Sequence, residues 1–388
     1  MTTYELAKAM ENELRSWRRE LHRHPELGRN EHFAQEFICA RLDEMGIPYQ
    51  REATAVLALI RGRKEHPLIG LRADMDALPI REQTGLPFAS QNDGCMHACG
   101  HDCHMAMLLG AAQLLQGMRD ELDCSVRLIF QPAEETVTGA ASIIGHPALQ
   151  GMDTVFAIHI WSYLELGKIS LEAGPRMAAA GAFKIHIRGR NSHCGRPQDG
   201  ADAVLAAANV VQALQSVVSR RMDPFAPVVL NIGKMTAGTA FNIMAGEAEL
   251  AGTTRYFDPA LTETLPRLIG EIAAHAAAEV GAEATLEYES RVPPVINDTT
   301  CSALAEQAVA KMGAPAVTSQ LQETMISEDF SLFMGEAPGC LAFLGGRNEA
   351  AGQCWPHHHE RFDVDEAALP IGTALYVQYA LEAAQHFA

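Results

Sequence analysis

Residues 68–76 read Leu68-Ile69-Gly70-Leu71-Arg72-Ala73-Asp74-Met75-Asp76, a short apolar run that turns polar at its end. An apolar run of this length, without alternation, marks a strand buried on both faces, the habit of parallel sheets. The design recurs: 125–131 is an apolar strand pattern ending in Pro132-Ala133-Glu134-Glu135, and 154–160 is another. Residues 56–61 add a further strand. Helical patterns stand around these strands, amphipathic over 6–21 and 31–45 and apolar over about 104–116. This alternation implies an α/β fold with a central sheet. In such sheets ligands bind beyond the carboxyl ends of the strands, where this chain gathers its polar residues.

The middle third changes character. Strand patterns at 183–188, 227–235, 242–257 and 284–288 are interleaved with helices at 201–218 and 261–280. Val204, Ala208, Val211 and Val218 stand near one face of the first helix, and Ala237-Gly238 supply turn residues between the second and third strands. The order β-α-β-β-α-β is that of the ferredoxin-like, split βαβ sandwich. We therefore expect an α+β domain at 181–290 inserted into an α/β domain with a central mixed sheet, formed by 1–180 and 291–388. In that last part, 340–344 reads as a strand and a helix closes the chain.

With 388 residues the chain is long enough for two domains with sizeable cores. A formal net charge of −18 argues against nucleic acid or an anionic membrane as partner. No stretch of about 20 apolar residues is present to span a bilayer. Residues 1–22 lack the apolar centre of a secretory signal. The nine cysteines are odd in number and irregular in spacing, which suits reduced thiols, and a cytoplasmic location is the expectation.

The densest polar segment is Met96-His97-Ala98-Cys99-Gly100-His101-Asp102-Cys103-His104. Cys99 and His101 are ligand types suited to zinc-like ions, although a helix start with buried thiols would explain the segment equally well. A zinc finger needs a second close Cys/His pair, and none follows. Cys95 and Cys103 could be extra ligands but read better as packing residues. Glu134 and Glu135 are adjacent carboxylates after a strand; their side chains diverge, so one can bind metal while the other serves as general base. His159 sits within the apolar strand Ile158-His159-Ile160, a setting that more often holds a core histidine. Near the C-terminus runs His357-His358-His359-Glu360-Arg361-Phe362-Asp363. One catalytic metal takes about three protein ligands, so candidates of types Cys, His, Glu, His and His fit two metals better than one.

These motifs together resemble the di-metal amidohydrolase family of aminoacylases, hippurate hydrolases and indole-acetyl-amino-acid hydrolases. The match extends from Arg18-Arg19-Glu20-Leu21-His22 through Leu71–Pro79, Met96–Asp102 and Gln131–Glu135 to Gly252-Thr253-Thr254-Arg255 and Ser327-Glu328-Asp329-Phe330. The resemblance implies Cys99, His101, Glu135, His159 and His358 as metal ligands, with Cys99 bridging two ions. His358 is singled out from its run because it stands four residues before Phe362. Glu134 would be the general base and Asp74 would orient a ligand histidine by hydrogen bond. Asn242 and Arg255, on one expected strand, would read the substrate carboxylate. The inserted domain would serve as lid and dimerisation module. His193, following a strand expected at the edge of its sheet, would reach the partner's metal site in a homodimer.

The implied reaction is hydrolysis of N-acyl (acetyl, benzoyl or other aryl-acyl) amino acids with zinc or manganese, cobalt and nickel being admissible. A dipeptidase, an N-acetyl-diaminopimelate deacetylase, a non-catalytic relative and a structural zinc protein are the alternatives. Cys95, Cys103 and the segment Asn191-Ser192-His193-Cys194 depart from the common family pattern.

Overall fold

The computed structural model describes all 388 residues. They pack as two compact units. One comprises Met1–Arg176, Ile296–Gln322 and Asp329–Ala388; the other comprises Met177–Val295 and Glu323–Glu328.

The first unit is built on an eight-stranded mixed sheet. From edge to edge its strands are Tyr49–Glu52, Ala55–Ile60, Ser125–Gln131, Leu68–Asp74, Thr154–Glu165, Gly339–Arg347, Lys168–Ser170 and Val317–Thr318. Leu68–Asp74 runs parallel to both Ser125–Gln131 and Thr154–Glu165, and Thr154–Glu165 runs parallel to Gly339–Arg347. These central strands are buried along nearly their whole length, as their uninterrupted apolar runs require. Asp74 lies opposite Gln131 in the register, so the polar tails of the two strands emerge side by side.

Helix His101–Gly117 begins three residues before its expected start. Its N-cap is Gly100 at φ +92°, in the left-handed region that suits glycine, and no side chain caps it. It is buried on almost every face through Ala112, the behaviour of an all-round apolar helix. The expected N-terminal helix is two, Thr3–Ala9 and Glu11–Arg23, because Met10 leaves helical geometry. The final helix, Ala368–His386, packs Leu375, Tyr376 and Tyr379 into the core.

In the second unit the strand order is Val228–Ala237, Glu247–Tyr256, Ala179–Arg188, Glu283–Val292, each antiparallel to its neighbour. Ala179–Arg188 is thus interior, contrary to its expected edge position. The expected strand over 242–257 is interrupted: Ile243–Met244 forms a separate two-residue ladder with Ser192–His193, and Ala245-Gly246 break the chain before Glu247–Tyr256. Helix Ala203–Arg221 buries Ala203, Ala206, Ala207, Val210, Leu214 and Val217, and Val204 is exposed. The buried stripe differs from the valine face because alanine and valine surround this helix, so packing rather than the apolar pattern chooses the side. No helix of the structure is long and apolar enough to cross a membrane.

Candidate metal centre

The carboxyl ends of three neighbouring strands deliver the site within the first unit. Leu68–Asp74 leads to Asp74 and Asp76, Ser125–Gln131 leads to Glu134 and Glu135, and Thr154–Glu165 carries His159. The helix start supplies Cys99 and His101, and the loop before the final helix supplies His358. The ligand atoms of Cys99, His101 and His159 lie within 4.8 Å of one another. So do those of Cys99, Glu135 and His358, and those of His101, Glu134 and Glu135. Cys99 belongs to two of these groups.

Hydrogen bonds fix which nitrogen each imidazole presents. His101 Nδ1 lies 2.8 Å from the carbonyl oxygen of Asp76. A carbonyl only accepts, so Nδ1 carries a proton, and Nε2 is the nitrogen that has a lone pair once the ring is neutral. His159 Nδ1 donates in the same way to the carbonyl of Ile160 at 2.6 Å, leaving Nε2 at 3.6 Å from Cys99 Sγ. His104 is otherwise engaged: its Nε2 accepts the N–H of Ile160 at 2.8 Å and its Nδ1 faces Asp74 Oδ1 at 2.5 Å.

The three C-terminal histidines have separate fates. His357 is half-buried and accepts the N–H of Ser162 through Nε2. His358, at φ +62°, turns Nε2 to within 3.5 Å of Glu135 Oε2. His359 stacks on Trp355.

Two buried atoms at the centre have no hydrogen-bond partner, His101 Nε2 and Glu135 Oε1, and they stand 3.9 Å apart. An unsatisfied buried polar atom costs roughly 1–3 kcal/mol. A cation accepting both lone pairs would offset that cost, and a donor set of thiolate, imidazole and carboxylate suits zinc and its neighbours. The residues therefore fit a divalent metal centre.

In the metal-free protein the same groups hold their protons. Burial, joined by the Glu135, Glu134 and Asp74 charges, raises the Cys99 thiol well above its usual range. Burial raises Glu135 to about 7 against the opposing pull of His101. His101 itself is raised to about 10: burial opposes its charge, and Asp74 outweighs burial together with the neighbouring carboxylates. A bound cation favours the deprotonated form of each of these groups.

The chain's family is settled by comparison. A model of the Peptidase family M20/M25/M40 matches residues 70–382. The chain belongs to the M20/M25/M40 peptidase family. It is 38% identical over 379 residues to an N-acetylcysteine deacetylase of Bacillus subtilis (strain 168), covering 96% of this chain and 97% of that protein. An N-acyl-L-amino acid amidohydrolase of Geobacillus stearothermophilus is 40% identical over 295 residues, 75% of this chain and 80% of that one. Among solved structures, a dinuclear metal-binding M20 peptidase of Bacillus subtilis superposes with a TM-score of 0.87 at 35% identity, covering 97% and 99% of the two chains.

For this M20 chain the hydrogen bond expected from Asp74 to one of the five ligand candidates goes to a different histidine. Asp74 hydrogen-bonds His104 and pairs with Arg72 at 2.7 Å, while the group holding His101 Nδ1 is the Asp76 carbonyl. The Asp76 carboxylate accepts the backbone N–H of Glu134 and of Glu135, 3.0 Å each. Glu31, buried, accepts the N–H of Ala133 at 2.8 Å, and Ala133 adopts φ +53° to start the turn. Asp76 and His104 stood in the quoted segments without a role; nothing local marked Glu31.

The remaining expected residues lie in the second unit. His193 is exposed, and its Nδ1 accepts the N–H of Gly195 at 3.0 Å. Arg255, half-buried, donates to the Thr253 hydroxyl and to the Thr254 carbonyl at 2.9 Å. Asn242 is exposed beside the Ile243–Met244 ladder, off the strand that carries Arg255.

Proposed function

We propose that this chain is a two-metal hydrolase that cleaves the amide bond of N-acyl amino acids, releasing a carboxylic acid and a free amino acid. The observation that carries the reading is the sharing of Cys99 between two ligand groups, with Glu134 and Glu135 beside them. The names of the relatives support the substrate class.

In this reading Cys99, His101, Glu135, His159 and His358 would hold two divalent ions, zinc or manganese with cobalt and nickel as alternatives. When bound, such ions polarise an amide carbonyl and lower the pKa of water. Glu134, held by its backbone on Asp76, takes the proton of the attacking water and returns it to the departing nitrogen. Asp74 keeps His104 and Arg72 in place behind His101. Arg255 and Asn242 read the substrate carboxylate, the arginine through its two-pronged guanidinium. The ferredoxin-like insert is lid and dimerisation module, and His193 donates to the oxyanion in the partner's site. Nine free thiols fit a cytoplasmic setting.

The test is turnover of N-acetyl, N-benzoyl and dipeptide substrates by the metal-reconstituted protein. Release of free amino acid from the first two, abolished by Glu134→Gln, is expected. Cleavage confined to dipeptides would replace the reading with a dipeptidase.

A further inference from the structure

Behind the metal centre, within the first unit, lies a buried ionic cluster that the proposed reaction does not use. Its centre is Arg18, 1% exposed, on helix Glu11–Arg23. Arg18 Nε donates to Asp102 Oδ2 at 2.8 Å, and its far nitrogen Nη2 donates to Asp363 Oδ1 at 3.0 Å. The remaining nitrogen, Nη1, stands 3.5 Å from Glu366 Oε1. Phe88 lies against the guanidinium, 4.9 Å from its carbon to the ring centre. His22 adds Nδ1 at 2.7 Å from the same Asp102 oxygen.

The two ends of this guanidinium grip different parts of the chain. Asp102 follows His101 in the first turn of the buried helix. Asp363 lies five residues beyond His358, in the loop whose His358 N–H already bonds the carbonyl of Ala98 at 2.9 Å. A planar fork that is always charged can hold two carboxylates at a fixed separation, which a lysine ammonium cannot. Asp363 is in turn held from the loop side by Gln353 at 3.1 Å.

We propose that Arg18 is a positioning residue for the metal centre, setting the distance between the His101 helix and the His358 loop by bridging Asp102 and Asp363. The inference rests on the metal-binding reading of the site. Groups that hold metal ligands in place from behind typically change affinity 10–100-fold when removed.

Zinc affinity, measured by chelator competition on the metal-free full-length protein, tests it, with the absorption of the cobalt-loaded protein as a second readout. Asp363→Asn takes the charge from the loop half of the bridge, where Arg18 Nη2 donates, and leaves Arg18 paired with Asp102 and Glu366. It should weaken zinc about 10-fold and alter the cobalt spectrum, while the metal-free protein melts within a few degrees of wild type. Arg18→Lys should weaken zinc similarly, and adding Asp363→Asn to Arg18→Lys should cost little more, because both break one bridge. Wild-type zinc affinity in Asp363→Asn overturns the proposal, as do losses that add in the double variant. A lowered melting point with unchanged affinity would make the cluster a fold element only. If the wild-type chain itself takes up no zinc, the metal-binding reading has failed rather than the bridge alone.

Discussion

Asp76 accepts the backbone N–H of Glu134 through one carboxylate oxygen and that of Glu135 through the other, at 3.0 Å in each case. One side chain thereby aims two neighbouring carboxylates, and the main-chain carbonyl of the same residue holds His101 Nδ1. Replacing Asp76 with Asn sets an amide N–H against a backbone N–H. We expect Asp76→Asn to lose roughly 10–100-fold in kcat with its circular dichroism spectrum unchanged. Wild-type kcat would show that the grip does not position the pair.

Glu134 and Glu135 should separate cleanly. Glu134→Ala keeps its metal and loses roughly 10²–10⁴-fold in activity, the usual share of proton transfer. Glu135→Ala lowers metal content first. Metal analysis of both purified variants decides it, and the opposite pattern exchanges the two roles.

The three thiols around the helix start should also differ. Cys99 stands 3.6 Å from His159, whereas Cys103 is packed among core residues including Met107 and burial raises its pKa. Burial likewise raises Cys95, to about 11. Cys99→Ser should cut metal content and turnover together. Cys95→Ser and Cys103→Ser should bind metal as wild type does. Equal losses in all three would point to a thiol-rich centre.

Metal uptake should release protons in a pH-dependent number. In the metal-free protein Glu135 titrates near about 7 and His101 near about 10, and the Cys99 thiol lies well above its usual range. All three are protonated at pH 6 and must give up their protons to bind metal. At pH 8 Glu135 is already ionised, so zinc binding should release fewer protons there. The same shift has a sign for stability. A folded pKa raised above the unfolded value gives stability that is complete below about 4.5 and is lost as pH rises through about 7, so Glu135 destabilises the metal-free fold at neutral pH. Calorimetry in buffers of different ionisation enthalpy counts the protons, and a release that grows with pH contradicts the assignment.

Much of the fold was legible where a strand is a closed apolar run. Residues 125–131 coincide with the observed strand Ser125–Gln131 because Pro132 ends it sharply. The start of helix His101–Gly117 was not legible, since a left-handed glycine cap leaves no side-chain signature. The break at Ala245-Gly246 was hidden by strand-like residues on both sides. In the site, the side-chain types that could ligate or transfer protons were readable one by one, and their convergence was not. Glu31 holds Ala133 from 102 residues away, through a main-chain N–H that no sequence pattern displays.

His193 gives the sharpest test of the dimer. It is exposed on its two-residue ladder, and nothing in its own surroundings demands a histidine there: Nδ1 meets only the Gly195 N–H. Sheet edges such as Val228–Ala237, with Val229 and Met235 exposed, are natural surfaces for pairing two copies around a twofold axis. If His193 donates to the oxyanion of the partner's site, its loss should cost roughly 2.7–4 kcal/mol of transition-state stabilisation. His193→Ala and Glu134→Ala should each be nearly inactive alone. Mixed under subunit exchange, they form heterodimers in which one site has lost both groups and the other has kept both. In an even statistical mixture half the dimers are mixed and each has one intact site, so activity should climb to about a quarter of wild type. Exchange is verified by a mass tag on one variant. Activity that stays at the background of the two parents, with exchange verified, places His193 outside the partner's site.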